Sequence, residues 1–493
     1  MFEKLYSIKL PMDMARKELY IKGDSIDIQP DYICLQKGQT VDFSTYFNLF
    51  SVKKWKTYTS IQSIKLLLHI YGKYKVTVYN VSSNDKTILF TDTFQNDLEE
   101  IISLSDCSGN FLVFTIQALE DDVKVWNGAY WGDFEDTQNV DIGIIICTFK
   151  REEYVKRNLT ILQHLMQENP HFHVMIIDNG RTLPEIRNEQ LQVIHNRNYG
   201  GSGGFTRGLM EQVNQGTNNY VLMMDDDILI ETSSLERVYA LCRHVKKQYA
   251  QQMIAGSMMS MDEPTIQYEN TAYWGKIRLH ALGKNFDLTK TDYLLQNDTI
   301  PNVKNQYAAW WFCCIPIGVV KKNGYPLPAF IKSDDMEYGI RNRQDIITMN
   351  GIGVWHETFN KKENAVVNYF NDRNMLILNH YVLSGNRWNF LGTALGRLGK
   401  HILRRNKAGI RMFFIALQDY QNGYEQITSV DADKKLKQIQ QYHIDENICL
   451  TFIKNLVLIS QTFWQYRLIH KQYIAFRCKN LKTQQFWENY LHL

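Results

Sequence analysis

Tyr220-Val-Leu-Met-Met-Asp-Asp-Asp-Ile228 decides how the rest of this chain is read. It opens as an apolar run, the pattern of a buried strand, and ends in three successive carboxylates. Successive side chains of an extended chain point to opposite faces, so Asp225 and Asp227 share one side and Asp226 faces away. Two like charges that close repel unless a cation stands between them. A hard divalent ion, Mn²⁺ or Mg²⁺, bound through oxygen relieves that repulsion and can hold a diphosphate. A solvated acidic turn after a strand would read the same way, so the neighbouring pattern has to decide.

Working outward, residues 141–390 alternate strand and helix. Asp141-Ile-Gly-Ile-Ile-Ile-Cys147 is a continuous apolar run, and Glu152 to Leu165 carries Val155, Leu159, Leu162 and Leu165 on one helical stripe. Phe172 to Ile177, Leu191 to Ile194 and Tyr220 to Met224 are further strands, with helical segments near 205–214 and 233–249 between or after them. This alternation predicts an α/β sheet, and such sheets bind ligands at the carboxyl ends of their strands. Polar residues stand at those ends: Thr148 and Arg151, then Asp178-Asn179, then Asn198-Tyr-Gly-Gly-Ser-Gly-Gly204, then the aspartates. The glycine run lacks a P-loop lysine and dinucleotide spacing, and reads as a loop giving a nucleotide sugar room to approach.

The flanks differ. Residues 1–140 hold short runs of strand type, among them Tyr74 to Tyr79, Thr87 to Phe90 and Phe111 to Ile116, and predict an antiparallel β-sandwich whose aromatics are core or sugar platform. Residues 391–493 are helical by pattern. There Arg397, Lys400, His401, Arg404, Arg405, Lys407 and Arg411 interleave with apolar residues, as in helices that lie on anionic membranes or dock on a neighbouring domain. Ile448 to Trp464 is interrupted by polar residues and reads as a buried helix, with no transmembrane span expected.

Composition narrows the function classes. A chain of 493 residues exceeds one ordinary core, and 44% hydrophobic content with 9 prolines is that of folded domains. The net charge of +3 argues against a nucleic-acid partner. Eight cysteines without CxxC spacing, and an N-terminus without an apolar h-region, point to reduced thiols in the cytoplasm.

Two more clusters carry chemistry. Lys332-Ser-Asp-Asp-Met-Glu337 follows Trp310-Trp311; Asp334 with Glu337 can cap a helix, while paired carboxylates can also divide the work of base and hydroxyl-orienting group. Tryptophan pairs serve as core or as a stacking face for a sugar. His356, in Gly353-Val-Trp-His-Glu357, is a residue type that completes an aspartate-bound metal site.

The ordered set Thr148-Phe-Lys-Arg151, Asn198 to Phe205, Met224 to Ile228, Trp310-Trp311, Asp334 to Glu337 and Trp355-His356 resembles the bacterial galactofuranosyltransferases. These are inverting, GT-A-fold enzymes of glycosyltransferase family 2 that include galactan polymerases. The resemblance implies a Rossmann-like GT-A domain between an N-terminal β-sandwich and a helical C-terminal region. It implies Asp225, Asp227 and His356 as ligands of Mn²⁺ or Mg²⁺, and Asp335 as general base. Thr148, Arg151, Asn179, Asn198, Asp226 and Lys332 match donor-contacting positions, and Trp310, Trp311, Asp334 and Glu337 surround the acceptor. The implied partners are a UDP-sugar and a glycan or glycolipid acceptor on the inner membrane face, with peripheral membrane contact and a homo-oligomer compatible with it. Another donor, such as dTDP-rhamnose or a UDP-hexopyranose, and a non-catalytic glycan-binding scaffold are the competing readings.

Overall fold

In the computed structural model the apolar runs of the middle region pair side by side. It describes residues 2–493 other than 84, 106, 276–277, 343–344, 359–363, 382–384, 430–431 and 442–446. Ile142–Thr148 lies parallel to both Phe172–Asp178 and Tyr220–Asp225, and Leu191–His195 extends the parallel set. The sheet then turns antiparallel at Phe312–Pro316 and continues through Met253–Ala255 to Ile346–Ile347. Ile142 to Ile146 are all buried, which explains why this strand reads as a continuous apolar run rather than an alternating one. Helices Glu152–Glu168 and Gly200–Gln215 connect the parallel strands. Thr148 stands opposite Asp178 and Cys147 opposite Asp225, so three strands end level, at one edge.

The N-terminal region is a sandwich of two antiparallel sheets. One is built on Ile61–Tyr71 and Val123–Phe134, the other on Lys73–Val81 and Phe111–Ala118. Their inward residues, such as Leu66, Leu68, Val76 and Phe114, share one core that runs on into the central sheet through Ile142, Ile144 and Ile146. Polar ties fix the sandwich to helix Thr232–His244: Glu236 accepts the Ser7 backbone N–H at 2.5 Å, and Arg243 pairs with Glu3 at 2.5 Å.

Helices Ala365–Tyr381, Arg387–Leu403, Lys407–Asn422 and Ile448–Asn480 pack around Leu376, Phe390, Phe413, Tyr420 and Tyr473. Two expectations change here. The basic stretch 397–411 is not one amphipathic surface, because Arg404 caps the end of one helix and Asn406 starts the next. Arg397 and His401 turn inward to the buried Asp372, and Arg411 is itself buried. Nor is Ile448 to Trp464 a buried helix. It is the first half of the 33-residue helix Ile448–Asn480, and Leu450, Ile453, Val457 and Trp464 are exposed.

Candidate active site

The three aspartates do not continue the strand. Tyr220–Asp225 ends on the first of them, and residues 226 and 227 form a turn. Asp225 and Asp227 nevertheless converge, because the turn leads into the short strand Leu229–Ile230, which pairs antiparallel with Gly353–His356. That pairing sets Leu229 opposite Trp355 and brings the His356 ring onto the turn. His356 Nε2 lies 3.1 Å from an Asp227 oxygen and 3.6 Å from an Asp225 oxygen. One potential ligand atom from each residue lies within 4.8 Å of the other two.

The ring's tautomer follows from its other nitrogen. His356 Nδ1 lies 2.6 Å from the Glu357 carbonyl, which can only accept, so Nδ1 carries a hydrogen. In a neutral ring the Nε2 lone pair would then face two carboxylates, an arrangement that requires a proton or a cation between them. Burial lowers the affinity of this ring for a proton, but the hydrogen bond to Asp227 and the charges of Asp225 and Asp227 outweigh it and raise the pKa. Asp225 is pushed up to about 7, first by burial, with His356 opposing. Its side chain is nonetheless 37% exposed, so water at the rim relieves part of that burial. Two oxygens and one imidazole nitrogen suit Mn²⁺ or Mg²⁺ as a ligand set.

Asp226 is not one of the three residues of that cluster. It accepts from Thr148 Oγ1 at 2.7 Å and Arg151 Nη1 at 2.9 Å, and Asn158 Nδ2 donates to its backbone carbonyl at 2.8 Å. Arg151 Nη1 also reaches Asp227 at 2.6 Å, and the two carboxylates hold its guanidinium charged against burial. Thr148 and Asp226 are thus turned toward each other, while Arg151 stays 41% exposed and presents its charge outward. Sequence reading passed over Asn158. The signal was a polar residue three positions after Val155 on the buried side of an amphipathic helix.

The glycine run is the first turn of helix Gly200–Gln215, not a loop. A Cβ at Gly204 would sit 2.2 Å from Cys147 Sγ, and one at Gly200, where φ is +66°, would sit 2.1 Å from the Phe330 carbonyl oxygen. The room these glycines make is therefore filled by the protein itself. Asn179 takes part in the same packing, donating to the Gly200 carbonyl at 3.0 Å and accepting from Asn196 at 2.9 Å. Asn198 accepts the Gly200 N–H at 3.2 Å.

The second acidic cluster opens helix Asp334–Asn342, where carboxylates favour the dipole. Burial raises Asp334 to about 8, helped by the charge of Asp335, and the charge of Asp225 acts in the same direction. Asp335 is raised by burial to only about 6, opposed by the Met336 N–H at 2.7 Å and by Lys332. Burial thus holds both carboxyls above the usual carboxylate range, Asp334 the further, so of the two Asp335 gives up its proton more readily. Lys332 also stabilises the Asp225 carboxylate, so its charge acts on both acidic clusters. The charge of Asp335 is felt in turn by Glu269, a buried carboxyl at the end of strand Ile266–Glu269 raised to about 7 by burial, with Lys284 opposing. Glu269 was not found by sequence reading, since nothing adjacent to it marks a site.

Three expected acceptor residues point elsewhere. Glu337 is buried and pairs with Arg341 at 2.9 Å and with Arg477 of helix Ile448–Asn480 at 3.6 Å, so its carboxylate faces the seam with the C-terminal helices. Trp310 packs edge-on against Phe205 and Tyr338, and Trp311 donates its indole N–H to the Gly256 carbonyl at 2.9 Å. Both rings are about 95% buried (5% and 4% exposed), and neither offers a sugar a stacking face. An apolar edge beside a strand reads alike for core and for platform, and here the core use prevails.

The loop carrying Lys332 and the aspartates is strained and held from behind. Phe330, Lys332 and Ser333 have φ of 70°, 65° and 71°, a region that costs non-glycine residues ~1–3 kcal/mol each. Asn374 Nδ2 donates to the carbonyls of Ala329, Ile331 and Lys332 at 3.0, 2.9 and 2.8 Å, Arg373 adds a bond to Ala329 at 2.8 Å, and the Ser202 N–H reaches Phe330 at 3.1 Å. Asn374→Ala is expected to lower kcat by roughly 10–100-fold, the scale of an ångström's misplacement, while Mn²⁺ affinity stays the same. Steady-state kinetics beside metal titration would check this; a parallel loss of metal affinity would show that the whole cleft had moved. The sequence shows only polar residues such as Asn368, Asp372, Arg373 and Asn374 set among apolar ones; the structure places them in helix Ala365–Tyr381 and buries them.

The family described as Glycosyltransferase like family 2 matches residues 139–359, and Galactofuranosyltransferase 2 N-terminal matches residues 25–133. Galactofuranosyltransferase GlfT2 of Mycobacterium tuberculosis is 25% identical over 465 residues, spanning 85% of this chain and 72% of its own length. The same-named protein of Mycolicibacterium smegmatis is 23% identical, spanning 85% and 70%. The crystal structure of S. aureus TarS 1-349 aligns with a TM-score of 0.38 and 15% identity, over 66% of this chain and 91% of that one.

Proposed function

We infer that this chain, a glycosyltransferase with a family-2-like catalytic domain, moves galactofuranose from UDP-galactofuranose to a hydroxyl of a cell-surface glycan, with inversion. The observation that carries the reading is the convergence of Asp225, Asp227 and His356 at the strand ends, within electrostatic reach of the helix that opens with Asp334 and Asp335. The sugar is supported by the named activity of the two relatives, and by the match of the sandwich to a galactofuranosyltransferase domain.

Asp225, Asp227 and His356 would hold Mn²⁺ or Mg²⁺, which when bound offsets the charge of a departing diphosphate. The rest falls to the chain. Arg151 fixes the turn through Asp226 and Asp227 and directs a positive charge at the donor side. Lys332 adds a second cation whose charge acts on both acidic clusters. Asp335 takes the proton of the acceptor hydroxyl as that oxygen bonds to the anomeric carbon. The bond from that carbon to the phosphate oxygen breaks, and its electron pair leaves with UDP. One displacement from the opposite face inverts the centre. Glu269, whose carboxyl feels the charge of Asp335, would bond a second hydroxyl of the acceptor.

Release of nucleoside diphosphate from UDP-galactofuranose, dTDP-rhamnose and a UDP-hexopyranose, each with Mn²⁺ or with EDTA, tests this directly. Turnover is expected to be highest with UDP-galactofuranose and to vanish in EDTA. Preference for another donor would move the sugar assignment, and no metal-dependent release from any donor would leave a glycan-binding scaffold.

A further inference from the structure

Within the glycine run, Gly201 stands apart from its neighbours. A Cβ at Gly203 would sit 2.4 Å from Tyr199 Cβ, and the contacts already described at Gly200 and Gly204 are closer still. Packing excludes a side chain at those three positions. At Gly201, among the described residues and outside its own helix, a Cβ would have one heavy atom within 4 Å. That atom is Asp334 Oδ2, at 4.0 Å, an ordinary van der Waals separation. The φ of Gly201 also lies outside the left-handed region, where glycine is favoured. Glycine weakens a helix relative to alanine, and alanine would fit here with neither clash nor backbone strain. No described part of the chain fills the space that this glycine leaves.

That space lies at the catalytic edge. Gly201 is half-buried and follows Gly200, whose N–H donates to Asn198 and whose carbonyl accepts from Asn179. Across the space Asp334 is buried, and the charges of Asp335 and of Asp225 both act on it. Cys147, at the end of strand Ile142–Thr148, feels the charges of Asp226, Asp225 and Asp334 together. Its Sγ lies 3.9 Å from the Gly200 carbonyl oxygen. Gly201 is therefore bordered by residues that would flank a sugar held between the aspartates of the proposed metal site and the proposed base.

We propose that Gly201 determines donor specificity: its missing side chain leaves room for the exocyclic carbons of a furanosyl donor, whose terminal hydroxyl meets the Asp334 carboxyl. Galactofuranose carries two carbons outside its five-membered ring, where a pentofuranose carries one. The space at Gly201 takes the last CH₂OH. A carboxyl accepts from such a hydroxyl when ionised and can also donate to it when protonated, so Asp334 suits either state. This role of Gly201 rests on the reading of UDP-galactofuranose as the donor. A methyl group set where a substrate group belongs costs roughly tenfold or more in kcat/KM, the scale of one misfitted methylene.

Gly201→Ala and Gly201→Leu, set beside the wild-type chain on UDP-galactofuranose and on UDP-L-arabinofuranose, test this role. The second donor has the same ring without the terminal CH₂OH, and serves as substrate or as inhibitor. On UDP-galactofuranose, kcat/KM is expected to fall roughly tenfold with alanine and further with leucine. For UDP-L-arabinofuranose, alanine should change kcat/KM or Ki by less than about threefold. UDP affinity in Mn²⁺ and the melting temperature should hold, since both replacements favour a helix. Equal losses on the two donors, or no loss on UDP-galactofuranose in either variant, overturn the proposal. So does a lower melting temperature or weaker UDP binding in Gly201→Ala, which would show that the fold itself demands glycine. A rise in acceptor KM alone also overturns it, by assigning the space to the acceptor. Failure of the donor reading registers separately and removes this role with it: the wild type would then turn over dTDP-rhamnose or a UDP-hexopyranose but neither furanose.

Discussion

Asp335→Asn is expected to transfer sugar at under about one hundredth of the wild-type rate while binding donor and metal normally. The substitution keeps the shape of the side chain and an oxygen to accept the Met336 N–H, now 2.7 Å away, but it cannot take a proton. A merely structural cap would be worth ~1 kcal/mol of stability and would leave the rate near normal. The pKa adds a sign that separates the two roles. Burial raises Asp335 from 3.8 to about 6, so the folded chain binds its proton more tightly than the unfolded one. Its ionisation therefore costs stability as pH rises from about 4 to about 6, and above that window Asp335→Asn should melt no lower than wild type. Activity should run the opposite way, falling as pH drops through about 6, because the base must be ionised to act. Asp334, which burial and the charge of Asp335 hold further above the usual carboxylate range, should tolerate Asn better. A near-normal rate for Asp335→Asn would hand the proton to another group.

Asp227→Ala should abolish detectable Mn²⁺ binding and transfer together. Asp227 supplies the oxygen 3.1 Å from His356 Nε2 and also holds Arg151 at 2.6 Å, so its loss would remove a proposed ligand and one of the two carboxylates that pair with Arg151. Asp226→Asn should be milder, since an amide oxygen can still accept from Thr148 and Arg151. Isothermal titration with Mn²⁺ beside a transfer assay would check both variants. Metal binding that survives in Asp227→Ala would place the ion elsewhere.

Much of the fold was legible because it rests on local periodicity. Ile142 to Ile146 and Tyr220 to Met224 read as buried strands since every side chain meets apolar neighbours, and helix Glu152–Glu168 shows its stripe in the chain itself. Carboxylates directly after such a strand stand at its carboxyl end, so Asp225 and Asp227 could be placed at that sheet edge before any fold was known. Burial direction was harder to read. Trp310, Trp311 and Glu337 have the composition of an acceptor site, but their surroundings come from Phe205, Gly256 and Arg477, all distant in sequence.

What the sequence by itself determined is therefore the α/β order, the sandwich before it, the helices after it, and the residue types at the strand ends. Only the tertiary structure decided which of those residues meet. His356 joins the aspartates because a two-residue strand, Leu229–Ile230, pairs with Gly353–His356, a pairing too short to leave any periodic trace. Asn374 holds the strained loop through three carbonyls from a helix with no local reason to lie there. The open side of Ile448–Asn480 is likewise invisible in the chain, since an apolar residue that packs and one that stays exposed are written alike. Local sequence encodes each residue's preference for water or core; which partner satisfies it is set by contacts that exist only once distant segments have come together.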